Sequence, residues 1–204
     1  MRTLGISEMR KVVFAMAVSL DGFIESTDGS LDWIADHDEF VSANSFVSRF
    51  DTAFYGRAAY EKFGLPRRFD TCLSEDERNY IESLNSLRKY VFSRNLKHVD
   101  GNGMMINGNL VSEVGRLRDE EGKDIWLCGG ADILRTFIDL DFIDEYIFCL
   151  QPVILGPGKL LFTDVKTMLR LQLTSTTHLK SGVVMLRYQP ETRFQNRRDH
   201  DRSI

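Results

Sequence analysis

The sequence is poor in cysteine and histidine: its 204 residues hold 3 Cys and 4 His. Cys72, Cys128 and Cys149 are odd in number and widely spaced, which fits neither a disulfide framework nor a zinc pattern. His37, His98, His178 and His200 are scattered as well, so no metal site is expected. Such cysteine usage fits reduced thiols, and the expected location is cytoplasmic. No apolar run approaches the roughly 18 residues of a membrane-spanning helix. The N-terminal stretch MRTLGISEMR lacks the apolar centre of a secretory signal. Basic charge is not in excess either: 26 Lys+Arg stand against 30 Asp+Glu. The balance favours neither nucleic acid nor a membrane surface as a partner. No internal repeat is visible.

What is present is the composition of a folded domain, 43% hydrophobic and 27% charged. One domain over residues 9–189 is expected, followed by a polar tail, 190–204, whose arginines are nearly balanced by acids. Strands and helices alternate along it. Lys11–Val18 reads as a buried strand. A long loop from Ser19 to Asp36 carries the turn signals Asp21-Gly22 and Asp28-Gly29. Asp38–Phe50 has helical period, Thr52–Gly56 is a second strand, and Arg57–Phe63 opens a short helix. Ser74 and Glu77 fit a capping box, predicting a helix to about Asn85. Arg88–Ser93 and Met104–Ile106 are strands three and four. Asn109 caps a helix facing inward with Leu110, Val114 and Leu117, and Gly122 is expected to end it in the left-handed conformation.

Asp124–Cys128 is the fifth strand, and Gly129-Gly130 follows it directly. Ile133, Leu134, Phe137 and Ile138 then recur with helical spacing. A buried strand entering a helix through two glycines leaves free backbone N–H groups at a helix N-terminus, where anions are favoured. A missing Cβ lets a phosphate approach the backbone. The pair therefore points to a nucleotide diphosphate, or else only to a tight strand-to-helix turn. Four further strand candidates, Ile143–Gln151, Lys159–Phe162, Leu169–Thr176 and Gly182–Tyr188, close the chain. The pattern implies βα crossovers and a parallel sheet finished by antiparallel hairpins at one edge.

Five segments, in order, resemble the dihydrofolate reductase-like superfamily. They are similar above all to the reductase domain of riboflavin-biosynthesis deaminase-reductases and its stand-alone bacterial relatives. The segments are Ala17-Val18-Ser19-Leu20-Asp21-Gly22-Phe23-Ile24, Gly56-Arg57-Ala58-Ala59-Tyr60-Glu61, Phe92-Ser93-Arg94, Trp126-Leu127-Cys128-Gly129-Gly130-Ala131 and Pro152-Val153-Ile154-Leu155-Gly156-Pro157-Gly158-Lys159. The resemblance covers Met9 to Tyr188. It implies a three-layer α/β/α fold with a mostly parallel twisted sheet, NADPH as hydride donor, a small-molecule substrate and a homodimer. The implied activity is that of 5-amino-6-(5-phosphoribosylamino)uracil reductase. Dihydrofolate reduction, or a catalytically silent nucleotide-binding scaffold, are the alternatives.

Carried over residue by residue, the resemblance assigns Gly56 and Arg57 to a phosphate, and Ser93 and Arg94 to the adenosine 2′-phosphate. A guanidinium and a hydroxyl suit that dianion. Gly129, Gly130, Ala131 and Asp132 would cradle the diphosphate, and Ala17 would meet the nicotinamide carboxamide. For Arg57 and Arg94 the alternative is a solvated surface charge. On the substrate side, Asp38 would arrange protonation beside Trp33; alternatively Asp38 caps its helix and Trp33 is core. Asp21 is either a turn residue or shapes the loop over the nicotinamide. Gln151 is placed to offer its amide to the pocket. Leu134, where dihydrofolate reductases commonly have tyrosine, and Ala58-Ala59, in place of a polar pair, depart from the folate-reducing pattern. The sequence shows no set of zinc ligands of the kind the deaminase domain carries, so deamination is not expected.

Overall fold

The computed structural model describes residues 9–34, 45–67, 73–93, 96, 98–166 and 168–191. Asp38, Arg94, most of the helix expected over 38–50 and the tail after Glu191 lie outside the described residues. At the centre runs β1 (Val12–Ser19), a strand of apolar and small residues. β3 (Phe50–Gly56), β4 (Arg88–Phe92), β5 (Gly103–Ile106) and β6 (Asp124–Cys128) lie to one side of it. β7 (Glu145–Gln151), β10 (Val184–Pro190) and β9 (Leu171–His178) lie to the other. The order across the sheet is β5-β4-β3-β6-β1-β7-β10-β9. From β5 to β7 every pairing is parallel, while β10 runs antiparallel to both β7 and β9. The fold is the three-layer α/β/α arrangement with an antiparallel edge.

Local signals explain the helices. Gly56 leads into α1 (Arg57–Ala59), which loosens into a π-helical turn over Tyr60–Gly64. α2 (Glu75–Ser86) begins with the expected capping box: Ser74 accepts from the Glu77 amide, and the Glu77 carboxylate accepts from the Ser74 amide. α3 (Leu110–Asp119) is capped by the Asn109 side chain. α4 (Ala131–Asp139) starts at Gly130 with no side-chain cap. Residues 45–47 are helical, and Phe50 already belongs to β3.

Three expectations need correction. The loop after β1 is not without structure, for Phe23–Ser26 forms β2. The segment expected as a sheet strand near Lys159 forms β8 (Gly158–Leu160), which pairs antiparallel with β2 in a separate two-stranded ribbon. Gly122 does not end α3 in the left-handed conformation: the C-cap is Glu120 and Gly122 has φ 158°. Glycine fits there because a Cβ would stand 2.5 Å from Asp51 Oδ2. That carboxylate ion-pairs with Arg10, which also donates to Thr52 Oγ1 at 2.7 Å.

The two faces of the sheet carry different cores. On one, Phe14, Leu127 and Phe54 stand in register across β1, β6 and β3. α3 covers them with Val114 and Leu117, and α4 with Leu134 and Phe137. Phe137 meets Phe92 and Phe54 at ring distances of 5.7 and 6.0 Å. On the other face Val13, Ala53, Tyr55, Val91 and Cys128 pack against Val47 and the Leu84 face of α2. Small residues on β1 and β3 leave that face incompletely filled.

Candidate functional site

The gap on the second face is a cavity of about 1060 Å³. Its floor is the carboxyl end of the sheet, where Tyr55 of β3 pairs with Cys128 of β6. Ala15 and Ala17 of β1 add two small side chains beside them. Tyr80, Ile81 and Leu84 of α2 form one wall, and Trp33, Ile34 and Leu31 a second. Spacing of three and four residues puts the α2 side chains on one stripe of the helix. Ligands of open parallel sheets sit outside the carboxyl ends of the strands, where neighbouring connections diverge. The insertion of β6 between β3 and β1 creates such a place here.

Gly129 and Gly130 differ in what they permit. A Cβ at Gly129 would lie 2.2 Å from Ile133 Cγ2, so packing of α4 against the β6 end demands glycine. At Gly130 the same test finds only ordinary contact, with Ile24 Cδ1 at 3.5 Å and Lys159 Nζ at 3.6 Å. Gly130 therefore stands open to the cavity at the start of a nine-residue helix. The unsatisfied N–H groups of the first turn and the Lys159 ammonium converge there, which makes the spot attractive to an anion. Among the described residues the Lys159 side chain makes no hydrogen bond or ion pair. Sequence reasoning missed this lysine as a site residue. Its signal was the Gly-Pro-Gly-Lys turn, whose partner strand lies more than a hundred residues away.

Asp21 explains how Lys159 is held. Its carboxylate accepts from the amides of Leu155 and Gly156 at 3.1 and 2.8 Å and from Ser19 Oγ at 2.6 Å. The Ser19 hydrogen bond and these amides hold the carboxyl below the usual range. Asp21 thus ties the β1–β2 turn to the loop entering β8 and does not line the cavity. The ribbon is fastened on its other side by Lys62, which donates to Gly29 O at 2.8 Å and lies 3.7 Å from Glu25.

The remaining expected residues are spread over several environments. Ala17, Trp33, Gly129 and Gly130 line the cavity together, and so do Ala58 and Ala59. Gly56 lies behind Gly129, its own Cβ direction facing Ile133 Cγ2 at 3.3 Å. Arg57 is an exposed side chain paired with Glu61 at 2.9 Å. Ser93 follows β4 and accepts from the Leu96 amide at 3.1 Å. Ala131 is buried in the first turn of α4, whereas the Asp132 side chain is 95% exposed and 3.7 Å from Arg135. Gln151 is buried and donates to Cys149 O at 3.3 Å, away from the cavity. Leu134 belongs to the opposite core.

Burial sets the protonation states around the floor. It pushes the Cys128 thiol well up, against a hydrogen bond from Tyr55, and pushes the Tyr55 and Tyr80 hydroxyls up as well. These groups therefore stay neutral at physiological pH and act as hydrogen-bonding surface. Among the described residues no helix is long and apolar enough to cross a membrane.

Comparison with known proteins agrees with this geometry. The family model described as the RibD C-terminal domain matches residues 10–185. Uncharacterized protein YyaP of Bacillus subtilis is 39% identical over 184 residues, 89% of this chain and 95% of that protein. A putative riboflavin biosynthesis protein from Shewanella sp. PV-4 superposes with a TM-score of 0.70 at 21% identity, covering 89% of this chain and 99% of its own. Dihydrofolate reductase from Enterococcus faecalis, complexed with NADP(H), superposes at TM-score 0.60 and 12% identity, with 89% and 96% of the chains covered. These two likenesses show the fold.

Proposed function

Because the chain belongs to the RibD C-terminal domain family, we propose that it is an NADPH-dependent reductase of a small heterocyclic compound, akin to 5-amino-6-(5-phosphoribosylamino)uracil reductase. The observation that carries this reading is the pairing of Gly130 with Lys159 on the cavity that also holds Ala17 and Trp33. A dinucleotide needs an anion-binding spot at a strand–helix junction and room beside it, and the Gly130–Lys159 corner of the cavity supports that reading. The residues fit NADPH: Gly130 and Lys159 would hold the diphosphate, and Ala17 would lie against the nicotinamide end. The bound nucleotide supplies a hydride. The chain orients the acceptor against α2, excludes water with Trp33 and the β2–β8 ribbon, and leaves the proton to be arranged by Asp38. Ser93 and Arg94 are assigned to the 2′-phosphate and the choice of NADPH over NADH.

The test is the thermal midpoint with and without NADPH. At 100 times its dissociation constant a ligand stabilises by about 2.7 kcal/mol. Gly130 has extended dihedrals, φ −82° and ψ −164°, so Gly130→Val is expected to keep the fold while filling the anion spot. NADPH should raise the midpoint of the natural chain and leave that of Gly130→Val unmoved. An unmoved midpoint for the natural chain at millimolar NADPH defeats the proposal.

A further inference from the structure

One side chain joins the two sides of the cavity opening. Lys62 stands on the π-helical turn over Tyr60–Gly64 and lines the cavity next to Ala59 and Phe63. Its ammonium donates to Gly29 O at 2.8 Å, with Glu25 Oε2 at 3.7 Å. Glu25 lines the cavity from the β2–β8 ribbon, and the wall of Leu31, Trp33 and Ile34 follows Gly29 directly in the chain. Side-chain exposures of 38% for Lys62 and 32% for Glu25 put the bridge at the rim, between cavity and solvent. Asp21, by contrast, ties together the segments that lead into the two ribbon strands and does not reach the opposite wall.

Both ends of the bridge are firmly built. Gly29 has φ 80° in a turn where Ser26 Oγ lies 2.6 Å from Asp28 Oδ1 and 2.9 Å from Ser30 O. The Ser30 amide reaches the same Asp28 oxygen at 2.9 Å, so the Gly29 carbonyl is held in one direction. On the other side the Tyr60 ring leaves no room for a Cβ at Gly64, and its hydroxyl donates to Asp100 O at 2.6 Å. What joins these two anchored ends is a single part-exposed ammonium. Contacts of that kind are individually weak, so the bridge can open while its ends stay folded. On the wall that it fastens, the Trp33 indole N–H is buried with no hydrogen-bond partner. Packing alone keeps that proton from water.

We infer that Lys62 is the latch of the cavity: its bond to Gly29 opens to let a ligand pass and closes again in the free and the occupied protein alike. Lys62 thereby sets the rates of entry and exit without holding the ligand. The inference rests on the reductase reading only for the nature of the ligand, NADPH. A bond made equally before and after binding cancels from the equilibrium and remains in both barriers, which is how a closing segment controls turnover.

The experiment reads the latch first without nucleotide. The chain holds 2 Trp, so exchange of both indole protons in deuterium oxide can be followed by NMR. Exchange through local opening scales with the population of the open form. For Trp33 it should be about three- to tenfold faster in Lys62→Met than in the natural chain, as fits a part-exposed hydrogen bond from a charged group. The Trp126 indole N–H is also buried without a partner, but its ring packs against Phe46 and Phe50 at 5.3 and 6.0 Å. It is the internal control, and its exchange should be unchanged. Lys62→Arg keeps a donor and should restore slow exchange at Trp33. In stopped-flow mixing with NADPH, Lys62→Met should raise the association and dissociation rates by the same factor and leave Kd within about twofold. Unchanged Trp33 exchange in Lys62→Met overturns the inference, and so does equal acceleration of both indoles, which marks general loosening. Faster dissociation alone, with weaker binding, makes Lys62 a ligand contact and overturns it too. If NADPH binds neither protein, the reductase reading fails while the exchange comparison still decides the latch, so the two failures are distinguishable.

Discussion

Arg118 and Lys89 are both buried cations beside the same sheet, on opposite faces and in opposite circumstances. Arg118, on α3, has Asp144 at 3.1 Å. The face of the sheet that α3 covers carries a closed aromatic core in which Phe54, Phe92 and Phe137 pack edge to face or tilted. Lys89, on β4, has no carboxylate among the described residues, and its face is floored by alanines that leave a cavity. Charge is neutralised where the core only has to hold together. Among the described residues no acid is paired with Lys89, whose face of the sheet carries the cavity.

Truncation on each face is the strongest way to break this contrast. Phe137→Ala removes a fully buried ring and should cost about 3–5 kcal/mol, read from the urea midpoint and slope. Ile81→Ala, on the cavity wall, enlarges a space that already exists and should fall well below the roughly 2–5 kcal/mol of a buried Ile→Ala. Equal losses at the two positions would show that the cavity face is packed as tightly as the other.

An intermediate effect is expected at the start of α2, the helix that walls the cavity. Ser74→Ala removes both hydroxyl contacts of the capping box and should lower stability by about 1 kcal/mol. Far-ultraviolet dichroism should show the helix retained. A neutral substitution would mean that packing of Tyr80 and Leu84 alone holds α2.

The finest test separates the two cations by pH. Burial, with Arg67 adding like charge, lowers the Lys89 pKa from its ordinary 10.5. Between that lowered value and 10.5 the unfolded chain binds the proton and the folded one does not, so this group's contribution to stability rises with pH across that window. The advantage of Lys89→Met over the natural chain should therefore be largest near neutrality and shrink toward pH 10.5. The contribution from Tyr55 is common to both proteins and drops out of the difference, whereas that from Cys128, which feels the Lys89 charge, is part of what the difference reads. Urea denaturation of both across this range provides the measurement, and a gap that stays constant would place the ammonium in solvent.

Much of the fold was legible in the residues. The capping box at Ser74, the Asn109 cap and the strand at Asp124–Cys128 all stand where their local chemistry put them. Such features depend on neighbours within a few positions. β2 escaped notice because four residues of an irregular-looking loop become a strand only by pairing with β8. Gly122 was misread because a glycine just past a helix suggests a cap, whereas this one makes room for Asp51. In the site, Gly129 and Gly130 were legible from the strand-to-helix pattern, and Ala17 and Trp33 through the resemblance. Lys159 was not, since no local rule tells a loop lysine that it will face a helix start 29 residues earlier in the chain.

By itself the sequence determined that parallel strands would end in glycine-led helices, because periodicity and backbone freedom act over a turn or a strand. It determined too that no cysteine framework would hold the fold together. Only the tertiary structure decided that β6 slips between β3 and β1, that Asp21 spends its carboxylate on the Gly156 loop, and that Lys89 is buried on the face that carries the cavity. Those outcomes depend on which strands become neighbours. A charge near the wall of a half-filled face is silent in sequence until the sheet order has chosen what stands opposite it.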